Sequence, residues 1–206
     1  MLNFTQQRNY WLAFNIMLLL ALLLLAKGGY MHAKAHFAQF LIERAFEQTL
    51  VDQKPHKPWS WADTHPVAKM RFYDSHDQIK QKALFVLAGV SGRTLAFGPG
   101  LYLAGAHAGE LGNTVIAGHR DSHFINLQYL HIGDKIELQN IKGAIIEYQI
   151  TDLRVVDETQ VEELAMTPDE RLTLITCYPF YGISANARMR YIVEAKPIKV
   201  NKPQFI

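Results

Sequence analysis

The stretch TLITCYPF, residues 173–180, holds the only cysteine among 206 residues, Cys177. It ends a β-branched run, and Tyr178-Pro179 follows. Pro179 has no N–H for a ladder, so the strand stops there and the thiol sits at a rim, not mid-core. A free cysteine is most often a small buried hydrophobe. At a rim it has the access that a nucleophile needs.

The runs around it read as β structure broken by turn residues. VAKMRF (67–72), ALFVLA (83–88), a weak GPGLYLAG (98–105) and NTVIAGH (113–119) come first. DKIELQ (134–139), AIIEYQITDLRVV (144–156), RLTLITC (171–177) and RMRYIVEA (188–195) complete the set. About eight such strands predict a β-barrel or sandwich. TPDERL (167–172), with Thr167 as N-cap and Pro168 at N1, predicts a short helical turn before the cysteine strand.

The N-terminal part differs. Tyr10–Ala26 is 17 residues with eight Leu and no charge. As a helix it reaches about 26 Å, slightly short of a ~30 Å hydrocarbon core. Gly28–Met31 extend it past Lys27, whose ammonium snorkels. A cleaved signal peptide competes, through the small-x-small pattern Ala33-Lys34-Ala35. That site lies far from the Leu block, and the run is long for a signal peptide, so an uncleaved anchor is the better reading. Positive charges flank the run almost evenly: Arg8 before it, Lys27 and Lys34 after it. A short tail before the anchor and a domain after it favour the N-terminus inside.

The expected organisation is a cytoplasmic tail (1–9), a transmembrane anchor (10–30), a stalk helix (31–51), a linker (52–66), a barrel (67–199) and a C-terminal tail (200–206). Phe37, Leu41 and Ala45 give the stalk an apolar stripe at i, i+4, i+8. DQKPHKPWSWADTHP (52–66) has three prolines and no apolar period. Its Trp59 and Trp61 suit either a bilayer interface or a cap on the domain.

Composition excludes some functions. With 21 basic and 19 acidic residues and no basic stripe, the footprint of a nucleic-acid binder is missing. One cysteine permits no internal disulfide and no Cys-x-x-Cys pair. No phosphate-binding glycine loop occurs. Gly89-Val90-Ser91-Gly92-Arg93 lacks the last glycine of a hydrolase elbow.

A thiol of ordinary pKa is only a few per cent thiolate at pH 7, so a nucleophilic cysteine needs a partner, usually histidine. Nine histidines are present. His32, His36, His56 and His65 lie in stalk or linker, and His76, His107 and His131 in loops or turns. His119 ends NTVIAGH, and Gly118 before it allows close backbone approach. His119-Arg-Asp-Ser-His123 would chelate a metal if helical, but Asp121-Ser122 after a strand reads as a turn. A third group follows if 171–177 and 188–195 form a hairpin across Pro179, Gly182, Ser184 and Asn186. Residues 188–190 then fall beside the cysteine. Arg188 and Arg190 share one face by the two-residue period, and either guanidinium suits an oxyanion.

NTVIAGHRD (113–121), TLITCYPF (173–180) and RYIV (190–193), in that order, resemble the sortases, membrane-anchored cysteine transpeptidases. GRTLAFGPG (92–100) and GELG (109–112) add to the likeness, which runs from about Val67 to Lys196. The Thr-Cys-x-Pro and Ala-Gly-His-Arg-Asp forms look closest to the proteobacterial branch. The resemblance implies a closed eight-stranded barrel with Cys177 as nucleophile, His119 as general acid and base, and Arg190, which precedes the apolar Tyr-Ile-Val, as the arginine. It implies cleavage of a C-terminal, LPxTG-like sorting signal and transfer of the protein to an amine acceptor that the sequence does not name. The implied setting is the inner membrane, with the barrel on the periplasmic side. No cofactor is expected. Some sortases bind calcium before the cysteine strand, but Asp157, Glu158, Glu162 and Glu163 there read as solvated charges. A protease that only hydrolyses and a non-catalytic peptide-binding barrel are the alternatives.

Overall fold

The computed structural model describes residues 4–181 and 187–198. The expected C-terminal tail and Gly182, Ser184 and Asn186 lie outside them. The chain divides into two units, Met1–Phe40 and Leu41–Ile206.

A helix, α1, runs from Phe4 to Asp52, 49 residues without a break. In the first unit, Tyr10, Trp11, Leu18, Leu20, Leu23 and Leu25 are all exposed along it. It is long and apolar enough to cross a membrane. In the second unit the end of α1 is packed: Ile42 and Phe46 form a cluster with Phe85 and Leu87. The buried stripe is therefore Ile42, Ala45, Phe46 and Thr49, while Phe37 is exposed. The apolar period of this segment is centred one position on from Leu41, because Ile42 and Phe46 pack against Phe85 and Leu87. Trp59 packs edge-on against Phe97 with centroids 5.0 Å apart, whereas Trp61 is exposed.

Eight strands follow: β1 (Pro66–Tyr73), β2 (Leu84–Ala88), β3 (Gly100–Leu101), β4 (Gly112–Ala117), β5 (Lys135–Asn140), β6 (Ile145–Asp157), β7 (Glu170–Tyr178) and β8 (Met189–Pro197). A short helix, α2 (Gly92–Leu95), is capped by the Ser91 side chain. The strands close into a barrel in the order β1-β2-β3-β4-β7-β8-β6-β5. Inward residues alternate along them, as on β7, where Leu172 and Leu174 join the core with Met70, Phe72, Ile116, Ile136, Leu138 and Val193.

Two elements differ from expectation. The strand expected over 98–105 is two residues long, because the chain turns directly after it, with the Gly105 N–H donating to the Tyr102 carbonyl at 3.1 Å. The helical turn expected at 167–172 does not form. Glu170 is already paired with Gly112, and the Thr167 hydroxyl donates to the Asp169 carbonyl instead of capping an N–H. The helical turn in this connection is a 3-10 turn further upstream, at Val161–Leu164.

Candidate active site

β4 and β7 are neighbours, and they run parallel with Ala117 opposite Ile175. His119 lies two residues beyond Ala117, and Cys177 two beyond Ile175. Both strands therefore deliver these residues to the same end of the barrel. β7 and β8 are antiparallel, and Cys177 is directly opposite Arg190. Directly opposed residues share a face, with Cβ atoms roughly 4.5–5.5 Å apart. Leu172 and Leu174 point inward, so Thr173, Ile175 and Cys177 take the outer face. Cys177 is half-buried and free. His119 is exposed and Arg190 half-buried. Arg188 precedes β8 and has no ladder partner.

The backbone around His119 is held on both sides. The Gly118 N–H donates to the Ile175 carbonyl at 3.1 Å. The Gly118 carbonyl accepts from the Thr176 hydroxyl at 2.7 Å, inside the barrel. The His119 carbonyl accepts from the Phe124 N–H at 3.0 Å, closing the turn that follows β4. Phe124 is fully buried beneath Gly118, where a Cβ would come within 2.7 Å of its ring. Only glycine leaves room for that ring. The segment His119–His123 is a turn and not a helix, so its two imidazoles are not arranged as i, i+4 ligands.

Other groups gather here. Arg120 Nη1 donates to the Pro179 carbonyl at 2.9 Å, tying the turn after β4 to the turn after β7. Tyr178 stacks on Tyr191, and Phe180 meets Tyr191 edge-on at 5.2 Å. The Tyr129 and Tyr181 hydroxyls are 3.3 Å apart. Burial, with the nearby His119 charge, pushes the His123 imidazole below its ordinary value.

The acidic residues before β7 are not all solvated. Glu158 Oε2 accepts from Arg190 Nη2 at 2.8 Å. Glu163 takes Arg154 with both carboxylate oxygens. Asp157 is capped by the Thr159 hydroxyl at 2.7 Å. Two of the four acids thus have guanidinium partners: Glu158 reaches Arg190 because β6 and β8 pair in the fold, and Glu163 reaches Arg154 because the connection after β6 turns back on that strand. Among the described residues no three His, Cys, Asp or Glu side chains form a metal-binding group. The connection after β6 is also held to the β4–β7 floor. The Asn113 amide donates to the Glu163 and Ala165 carbonyls at 2.9 and 3.2 Å, and its oxygen accepts from Thr173 at 2.7 Å. Asn113, Thr173 and Thr176 went unremarked in the sequence. A signal was there: each is a polar residue inside an apolar strand run.

The sortase-domain family model matches residues 77–198. Sortase D of Bacillus subtilis is 32% identical over 114 residues, 55% of this chain and 57% of that protein. Sortase A of Listeria monocytogenes is 39% identical over 70 residues, 32% of this chain and 31% of that one. The chain thus spans 31% to 57% of the length of these relatives. Among solved structures, a Clostridium perfringens sortase D5 transpeptidase superposes with a TM-score of 0.61 at 22% identity, over 80% of this chain and 99% of that one, a likeness of fold. Listeria monocytogenes sortase A superposes at 0.54 with 27% identity, over 65% of this chain and 88% of that one. With the family model spanning more than half its length, the chain belongs to the sortase family.

Proposed function

We propose that this protein is a cysteine transpeptidase that cleaves a C-terminal, LPxTG-like sorting signal and joins the cleaved protein to an amine acceptor. The observation that carries the proposal is the register. Cys177 faces Arg190 across an antiparallel pair, and His119 follows two residues after Ala117, which lies opposite Ile175 in the parallel β4–β7 pair. The Thr-Cys-x-Pro and Ala-Gly-His-Arg-Asp forms support assignment to the proteobacterial branch.

In the first half-reaction the Cys177 thiolate attacks the scissile carbonyl carbon, and the carbonyl electron pair moves onto oxygen. Arg190 donates hydrogen bonds to that oxyanion. The C–N bond breaks as His119 gives its proton to the departing amine, leaving a thioester on Cys177. In the second half-reaction an acceptor amine attacks the thioester. His119 takes the amine proton, the C–S bond breaks and the thiolate returns. Water in place of the amine gives slow hydrolysis.

The apolar part of α1 supports single-pass anchoring in the inner membrane, with residues 10–30 as the span, residues 1–9 in the cytoplasm and the barrel (67–199) on the periplasmic side. A substrate tethered in the same bilayer meets the enzyme at raised effective concentration.

The test is mass spectrometry of the full chain in detergent with sorting-signal peptides, with and without an added amine. A thioester adduct on Cys177, lost in Cys177→Ala and resolved to a ligated peptide by the amine, is expected. An adduct resolved by water alone, whatever the amine supplied, would reduce the protein to a hydrolase. An adduct on another residue contradicts the assignment.

A further inference from the structure

The guanidinium of Arg190 is held before any substrate arrives. Its Nη1 donates to the Ala187 carbonyl at 2.5 Å and the Met189 carbonyl at 3.1 Å, and its Nη2 donates to Glu158 Oε2 at 2.8 Å. Three of the five guanidinium N–H bonds are thus engaged among the described residues, leaving Nε–H and one on Nη2. Glu158 is itself fixed: its backbone N–H donates to the Arg188 carbonyl at 2.7 Å, one residue past the end of β6. There Asp157 pairs with Met189 and Val156 with Arg190. The backbone that carries the carboxylate is therefore anchored beside the strand that carries the arginine.

We infer that Glu158 is a positioning residue for Arg190, clamping one edge of the guanidinium so that its remaining N–H groups are aimed at the oxyanion when the thioester forms. The inference rests on the transpeptidase reading. Without Glu158 the two backbone carbonyls hold Nη1 alone, and the guanidinium plane is free to swing about that nitrogen. A donor that must be ordered during the reaction stabilises a developing charge less than one already fixed.

The pair is partly exposed, with side-chain exposures of 28% for Arg190 and 43% for Glu158. Ion pairs of that kind add little to stability. The melting temperature of Glu158→Ala should therefore stay close to that of the wild type, which separates positioning from a structural role.

The experiment uses the full chain in detergent and two readouts. The first is modification of arginines by a phenylglyoxal reagent, followed by peptide mapping. Arg190 should react several-fold faster in Glu158→Ala than in the wild type. In Glu158→Gln, whose amide oxygen still accepts a hydrogen bond, the rate should stay close to wild type. Arg93, an exposed arginine 3.7 Å from Asp63, serves as internal control. The second readout is single-turnover acylation of Cys177 by a sorting peptide. Glu158→Ala should lower the rate constant about 10-fold with little change in KM, and Glu158→Gln should restore most of it, since misplacing a catalytic group by a fraction of an ångström costs on that order. Equal Arg190 labelling in wild type and Glu158→Ala overturns the clamp. Faster labelling with an unchanged acylation rate overturns its role in catalysis. If the wild type acylates with no peptide, the transpeptidase reading fails, and the labelling still decides whether Glu158 holds Arg190.

Discussion

Replacing Gly118 with alanine probes how His119 is held. The added Cβ would lie 2.7, 2.8 and 3.0 Å from three carbons of the Phe124 ring. Carbon atoms rest at about 3.5–4.0 Å, so something must yield by close to 1 Å. Phe124 has no exposed surface and packs in the barrel core, so its ring has nowhere to retreat. Gly118 does not occupy the left-handed region, so the substitution adds no backbone strain and the effect is steric alone. Overpacking of this kind costs about 1–3 kcal/mol. In a chain of this size that lowers the melting temperature by roughly 2–12 °C. The alternative relief is for the β4 end to lift, carrying His119 with it. A displacement of about 1 Å at a catalytic group costs on the order of 100-fold in rate. Thermal unfolding and single-turnover acylation of Cys177 read the two outcomes separately. Trimming the ring in Gly118→Ala/Phe124→Leu should recover part of whichever is lost. The reasoning fails if the single variant melts and acylates like the wild type, or if the double variant is worse than the two single changes combined.

Thr176→Val keeps the shape but orphans the Gly118 carbonyl in a buried setting, and should cost about 1–3 kcal/mol by denaturant unfolding, while Thr176→Ser costs less. Arg190→Lys should slow acylation by about 100-fold or more, because a single ammonium cannot reproduce the guanidinium fork, whereas Arg188→Lys should leave acylation within about 3-fold; similar losses at both positions would undo the choice between them. His65 and His123 are both pushed below the ordinary imidazole value, chiefly by burial. The unfolded chain therefore takes up protons first, so stability is full above about pH 6.5 and declines as pH falls below that value, until the folded rings protonate in turn. His123→Gln should flatten part of that decline, and a melting temperature as pH-dependent in the variant as in the wild type would contradict it.

The strand pattern was legible because runs such as DKIELQ and AIIEYQITDLRVV carry their own two-residue alternation, and turn residues bound the rest. β6 and β7 announce themselves without reference to any neighbour. β3 is shorter than its run because the chain turns between Tyr102 and Gly105, inside a Leu-Tyr-Leu stretch that reads as strand. The helical turn at 167–172 was overread because good capping chemistry at Thr167 and Pro168 lost to ladder pairing between Glu170 and Gly112. At the candidate site, Cys177 and His119 stood out through their strand-end positions. Parity alone could not choose between Arg188 and Arg190; the motif made that choice, and only the cross-strand register ties Arg190 to Cys177. Glu158 was out of reach, since its partner lies 32 residues away on a strand whose pairing with β6 the sequence does not state.

The proposed chemistry depends on the register of the parallel β4–β7 pair. The two strands are not consecutive, so no tight turn fixes their alignment as it would in a hairpin. A slip of one residue would turn Cys177 inward, toward Leu172 and Leu174, and away from His119. The described side chains supply two pins against that slip. At one end Thr173 donates to Asn113 at 2.7 Å, with both residues nearly fully buried. At the other Thr176 donates to the Gly118 carbonyl. Any slipped register breaks both bonds and leaves buried polar groups without partners, at about 1–3 kcal/mol each. A polar pair inside an apolar strand run adds little to stability when made, but it makes every wrong alignment expensive. On this argument Asn113→Leu/Thr173→Val removes the first pin and also releases the Glu163 and Ala165 carbonyls that Asn113 holds, so stability should fall by about 1–3 kcal/mol for those two lost bonds. The double variant should also broaden the amide signals of β4 and β7 and lower the fraction of chains whose Cys177 acylates. A sharp spectrum and full acylation in that double variant would show that the hydrophobic pattern sets the register unaided.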